Sequence, residues 1–105
     1  MDIKAANLER ADLRDVHLEE TSPFSTNLKR ANLENVHLEK ANLINTDLKG
    51  ANLEGAYLRD ANLKEAKNLI INQLSMAKTL YKAEIDESLR SLLKKNSPAL
   101  FEVPK

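Results

Sequence analysis

Ala31-Asn32-Leu33-Glu34-Asn35-Val36-His37-Leu38-Glu39-Lys40-Ala41-Asn42-Leu43-Ile44-Asn45 places a leucine at every fifth position, with a small apolar residue two places before it. The spacing runs back through Leu28, Leu18, Leu13 and Leu8 and forward through Leu48, Leu53, Leu58 and Leu63. A period of five suits no straight element, because a helix would scatter the leucines around its circumference and a strand would send alternate ones to opposite faces. The chain must therefore turn once per unit. Within an extended triplet, Ala31 and Leu33 share the inward side while Asn32 points outward. Glu34 and Asn35 then form a polar corner. Asn35, Asn45, Gly50 and Gly55 at the second corner position suit the positive φ of a type II turn, whereas Arg10, Glu20, Arg30 and Lys40 there predict type I or irregular corners.

A longer period lies on the short one. Val16-His17-Leu18-Glu19 returns as Val36-His37-Leu38-Glu39, and Thr26-Asn27-Leu28-Lys29 as Thr46-Asp47-Leu48-Lys49, twenty positions later in each case. Four units thus complete one turn, and the coils stack at the strand spacing of about 4.8 Å into a square-sectioned parallel solenoid. About three such coils fit between Met1 and Glu65.

Tandem Ala-[Asn/Asp]-Leu-x-x over residues 1–68 resembles the signature of pentapeptide-repeat proteins. The resemblance implies an all-β solenoid, a right-handed quadrilateral parallel β-helix. The segment Asn68-Leu69-Ile70-Ile71-Asn72-Gln73-Leu74 and the following Ala77-Lys78-Thr79-Leu80-Tyr81 resemble the exit found at the C-terminal end of many family members. Residues 69–105 are expected to form a C-terminal helical cap and tail within the same structural domain. Apolar spacing predicts one helix over 70–81 and a second from Asp86, its N-cap, built on Ile85, Leu89, Leu92 and Leu93. Lys94 and Lys95 in its last turn and Asn96-Ser97-Pro98 after it agree with the helix dipole and stop signals. The apolar tail Ala99-Leu100-Phe101-Glu102-Val103 is expected to pack on the lid or on another chain, with packing back on the lid the favoured reading.

One unit breaks the pattern. In Thr21-Ser22-Pro23-Phe24-Ser25 proline stands where leucine belongs, and it lacks a ladder donor. Phe24 is expected to supply the missing volume through a one-residue shift, leaving a bulge. At the N-terminal end no cap precedes Ile3, so the first coil presents an edge. Two readings of that edge stand side by side: a head-to-head homodimer, or protection by the charges of Asp2, Lys4, Glu9 and Arg10.

Chemistry has little to work with. Lysine plus arginine and aspartate plus glutamate both number 16, so no excess charge advertises nucleic acid or an anionic membrane. A basic stripe with interleaved aromatics is missing. The absence of cysteine removes disulfides and thiolate chemistry. Neither a signal peptide nor a membrane span is legible, and a cytoplasmic protein is the default expectation. A lumen filled by side chains leaves no cleft for a substrate, so a non-enzyme with no cofactor or small-molecule substrate is expected. His17, His37 and Tyr57 occupy equivalent outward positions and predict a stacked outer ladder. The histidines stand within reach of a metal together with Glu19 or Glu39, but the sequence places no third ligand to close the shell; the ladder alone accounts for them and no metal is assigned.

The outward charges divide by wall. Asp12, Asp15, Glu34 and Glu54 face Arg14 on one, Glu19, Glu20, Glu39 and Asp60 face Lys40 and Arg59 on the next, and Lys29, Arg30, Lys49 and Lys67 lean basic elsewhere. Phe24, Glu19, Glu34, Glu39 and Glu54 are the candidate protein-interaction residues. The expected function is a structural or protein-interaction module of unknown role. The family resemblance supplies one alternative, a DNA mimic that binds type II topoisomerases, for which this chain is short and neutral.

Inward leucine is the most exposed of these expectations. Burial of one leucine side chain contributes roughly 1.5–3 kcal/mol, and a buried unpaired charge reverses that gain. Leu33→Asp is therefore expected to abolish cooperative folding, read as loss of the thermal transition in circular dichroism.

Overall fold

The computed structural model describes residues 6–23 and 25–104. The expectations placed on Met1 to Ala5 and on Phe24 fall outside them. Parallel bridges join Asn7 to Asn27, Asp12 to Asn32, His17 to His37, Asn27 to Asp47, Asn32 to Asn52, His37 to Tyr57, Asn42 to Asn62 and Asp47 to Lys67, each across twenty residues. Four sides therefore close one coil of a β-helix solenoid. Each side contributes a single bridged residue, too little for a continuous strand among the described residues.

The repeat follows from hydrogen-bond accounting. In the unit 31–35, Ala31 N–H closes the preceding turn onto Leu28 O, Asn32 N–H donates to Ala11 O in the coil below, and Leu33 N–H donates to Asn52 O in the coil above. Asn35 N–H also donates upward, to Glu54 O. That leaves Glu34 N–H, which donates to the unit's own Asn32 side-chain oxygen at 3.1 Å. The same local bond recurs from Glu9 to Asn7, Arg14 to Asp12, Lys29 to Asn27, Ile44 to Asn42, Lys49 to Asp47, Glu54 to Asn52 and Lys64 to Asn62. Asn or Asp at the outward position is thus the acceptor for the one donor that the ladder cannot reach.

Corners are more uniform than their sequences suggest. Arg10, Asp15, Glu20, Arg30, Asn35, Lys40, Asn45, Asp60 and Glu65 all hold positive φ, between 57° and 63°, as Gly50 and Gly55 do at 68° and 70°. A bond such as Val16 N–H to Leu13 O closes each turn, and only its third residue is left-handed, the signature of type II. The expectation of type I or irregular corners at Arg10, Glu20, Arg30 and Lys40 is therefore corrected. A left-handed non-glycine residue costs roughly 1–2 kcal/mol, and burial of the unit's inward pair together with the inter-coil bond from the corner N–H offsets it.

Inside, Leu33, Leu38, Leu43, Leu48, Leu58 and Leu63 are at most 1% exposed, stacked with Ala31, Val36, Ala41, Ala56 and Ala61. Buried threonines satisfy their hydroxyls on backbone carbonyls: Thr21 donates within its own turn to Leu18 O, and Thr46 donates across coils to Pro23 O. The Pro23 unit also departs from expectation. Pro23 itself is buried in the leucine slot, Ser25 keeps the left-handed corner, and Thr26 N–H still bonds Pro23 O, so the register is held without a one-residue shift. Ser22 and Asn42 form no bridge, because proline has no N–H to complete it.

Past Lys67 the chain changes character. The helix expected over 70–81 is only α1, Ile71–Ser75. Residues 78–85 return to the coil instead: Thr79 bridges Tyr57 and Glu84 bridges Asn62, now across twenty-two residues. Leu80, Ala83 and Ile85 point inward, and Lys82 supplies another left-handed corner at φ 59°. Inward leucine-like residues at Leu80 and Ile85 preserve the five-residue spacing, which outweighs the weaker helical pattern of 70–81. Helix α2, Glu87–Asn96, begins after Asp86 as expected, but the Asp86 carboxylate does not cap it. It accepts Glu65 N–H at 3.1 and 3.2 Å, the acceptor position that a further coil's carbonyl would fill. Gln73 acts similarly, donating to Leu48 O and Ala51 O while accepting Ile70 N–H. Leu93 is buried, Leu100 and Phe101 pack on the core, and Leu80 N–H bonds Leu100 O, so the tail folds back.

Two substitutions test this accounting. Asn42→Ala strands Ile44 N–H and should lower unfolding free energy in urea by about 1 kcal/mol, whereas Asn42→Asp retains the acceptor and most of the stability. Gln73→Ala removes three bonds at the last full coil; a loss of about 1–3 kcal/mol is expected in the same titration.

Candidate functional site

With the lumen filled, side-chain chemistry is confined to the outer walls and the C-terminal segment. One wall carries the expected column. His17 and His37 stack with ring centroids 4.2 Å apart and planes 7° apart, and Tyr57 continues the stack at 4.3 Å and 4°. The coil spacing places the rings, since the three residues are bridged in sequence. Beside them, at the first corner position, stand Glu19, Glu39 and Arg59. His17 Nδ1 lies 3.0 Å from Glu19 Oε2, and His37 Nδ1 lies 3.4 Å from Glu39 Oε2. The hydrogen bond and charge of Glu19 raise the proton affinity of His17, and His17 in return lowers the Glu19 carboxyl. Glu39 Oε1 is buried without a hydrogen-bond partner among the described residues. The sequence places these residues in one column without closing a metal shell; the structure brings donor atoms of His17, Glu19 and His37 within 4.8 Å of one another.

The acidic walls are more compensated than a count of carboxylates suggests. Arg14 grips Asp12 through two bonds, at 2.9 and 2.8 Å, and holds its carboxyl at about 2. Arg59 lies 3.7 Å from Asp60, and Glu9 on the opposite side meets Arg30 at 3.6 Å. Glu34 and Glu54 follow Arg14 in one corner column, because Asp15 N–H bonds Glu34 O and Asn35 N–H bonds Glu54 O. Neither glutamate makes an ion pair among the described residues. They, rather than Glu19 and Glu39, are the part of the expected interaction surface left without a direct side-chain partner among the described residues, although Arg14 lends Glu34 some long-range charge; Phe24 lies outside the described residues.

The sequence did not single out Tyr81. Arg59 lies 5.1 Å and Lys82 5.5 Å from its ring centroid, forming a basic and aromatic spot where the resumed coil passes the third. The leucine spacing from Leu80 to Ile85, read two residues out of phase with Leu58 and Leu63, carries the signal for it. A cavity of about 370 Å³ between Tyr57, Lys78, Thr79, Ala99, Glu102 and Val103 lies on this segment. Among the described residues no helix is long and apolar enough to cross a membrane.

Comparison with known proteins supports this geometry. The family model for pentapeptide repeats matches residues 26–66 in eight copies, starting just after the irregular Pro23 unit. Among solved structures, the pentapeptide repeat protein Rfr23 of the cyanobacterium Cyanothece 51142 is 31% identical with a TM-score of 0.62, over 80% of this chain and 49% of that one. The chain thus spans about half the length of that relative. A pentapeptide repeat protein of the Arabidopsis thaliana thylakoid lumen shares the fold at a TM-score of 0.57 and 21% identity, over 90% of this chain and 71% of that one. A comparison with curated protein sequences finds no match. Such neighbours imply the right-handed quadrilateral β-helix. The five-residue unit, the twenty-residue bridging and these likenesses agree that the chain belongs to the pentapeptide-repeat family.

Proposed function

We propose that the chain is a non-catalytic protein-interaction module, a rigid β-helix of about three coils whose C-terminal helical segment caps its last coil. The observation that carries this reading is the filled interior: inward side chains between Leu28 and Leu63 leave the lumen without a cleft, so specificity must lie on walls and ends. Family members are generally structural or interaction modules, in keeping with this. The wall bearing Glu34 and Glu54 is the proposed docking surface, its side chains held at coil spacing by the ladder; among the described residues neither makes an ion pair, and the nearby Arg14 is bonded to Asp12.

The first coil supports a second interaction, with another copy of the chain. Leu8, Leu13 and Val16 are only half-buried, while their counterparts Leu28, Leu33 and Val36 are at most 2% exposed. No described residue accepts the backbone N–H of Asn7, Asp12 or His17. An edge with apolar side chains and unpaired donors is the kind that associates.

Mimicry of duplex DNA is the weaker alternative. The molecule's longest extent is 34 Å, and that length of duplex bears about 20 phosphates at one charge per 1.7 Å. The two acidic walls offer Asp12, Asp15, Glu34, Glu54, Glu19, Glu20, Glu39 and Asp60, with Arg14 and Arg59 set against them.

Two measurements test the reading. In sedimentation equilibrium the wild type should dimerise with increasing concentration, and Leu13→Glu should remain monomeric; a monomer throughout would remove the edge interaction. In affinity capture, Glu34→Lys with Glu54→Lys should release a stoichiometric protein partner by at least tenfold while leaving the thermal transition in place. Retention of that partner would place the docking surface elsewhere, and enrichment of a topoisomerase lost on charge reversal would favour the mimic.

A further inference from the structure

The repeated His-x-Glu of the first two coils does more than build a ladder. Four donor groups, His17 Nδ1, Glu19 Oε2, His37 Nδ1 and Glu39 Oε2, face one another in pairs at 3.0 and 3.4 Å. Coil stacking sets the pairs side by side, with the rings 4.2 Å apart. Donor atoms of His17, Glu19 and His37 fall within 4.8 Å of one another, and Glu39 Oε1, buried with no hydrogen-bond partner among the described residues, adds an acceptor on the carboxylate that meets His37. The geometry points to a binding site for a borderline divalent cation of the zinc class, held by His17, His37 and Glu19 with Glu39 completing or supporting the shell.

The donor set chooses the ion. Two imidazoles with carboxylate suit Zn²⁺, Cu²⁺ or Ni²⁺, whereas Mg²⁺ and Ca²⁺ require mainly oxygen ligands. The cation takes the place of the protons that otherwise link each Nδ1 to its glutamate. A tetrahedral ion at Zn–N distances of about 2.0–2.1 Å brings its two nitrogens to roughly 3.3 Å, and imidazole lone pairs lie in the ring plane. Parallel stacked rings cannot both point at one ion, so binding must splay the stack. His17 is the ring able to move: its side chain is 68% exposed and has a neighbour on one face, while that of His37 is 26% exposed and lies between His17 and Tyr57. The third coil ends the site, since Tyr57 and Arg59 replace the His-x-Glu pair and Arg59 turns to Asp60. Weak, micromolar affinity follows from the exposed position and the stack that is lost.

Isothermal titration of the full chain with ZnCl₂, in parallel with MgCl₂, tests the site. One Zn²⁺ per chain is expected, with no heat from Mg²⁺, and His17→Gln and Glu19→Gln should each weaken Zn²⁺ binding at least tenfold. In heteronuclear NMR of the wild type, which needs no substitution, the ring resonances of His17 and His37 should shift together and saturate at one equivalent. Absence of Zn²⁺ binding to millimolar concentration, or binding unchanged in both variants with the His37 ring unmoved, would overturn the assignment.

Discussion

A stacked unit of five residues has five backbone N–H groups to pair, and much of the molecule is arranged around that demand. Vertical bonds serve the outward residue, the leucine and the second corner residue; the turn serves the small residue; the Asn or Asp side chain serves the fifth donor. A residue that looks like surface decoration is therefore a structural acceptor. The two histidine units, 17 and 37, lack it, and their corner glutamates turn to the imidazoles instead. The place where the consensus acceptor is lost is the place where side-chain chemistry collects.

The same demand explains the C-terminal end. Where the coil would need another level, side chains substitute for its backbone: Gln73 reaches Leu48 O and Ala51 O, and Asp86 receives Glu65 N–H. A helix cap and an edge acceptor compete for one carboxylate, and the edge takes it: both Asp86 oxygens accept Glu65 N–H, and α2 begins without a side-chain cap. At the N-terminal end no such substitutes appear among the described residues, and half-buried Leu8, Leu13 and Val16 mark the difference.

Function in such a molecule lies outside the core. The lumen repeats leucine with little variation, so the information that distinguishes one wall from another is carried by outward positions. Their meaning depends on vertical neighbours. Asp12 looks like part of an acidic wall until Arg14 is seen folded onto it, and Glu34 and Glu54 gain weight because neither makes an ion pair among the described residues. Local sequence shows charge; only the stacking shows which charge is left uncompensated.

By itself the sequence determined the architecture: the five-residue leucine period forced a turn per unit, and the twenty-residue echo set four units per coil, because periodicity is a direct record of which side chains share a face. It also gave the histidine and tyrosine column, and the start of α2 at Glu87. Tertiary structure alone decided the corners, where inter-coil bonds hold arginine, lysine and glutamate in a left-handed conformation that local preference disfavours. It decided that 78–85 rejoins the coil, since the two extra residues around α1 are absorbed only when Thr79 and Glu84 find Tyr57 and Asn62. And it decided the donor cluster at His17, Glu19 and His37, because residues twenty apart become neighbours only once the coils are stacked.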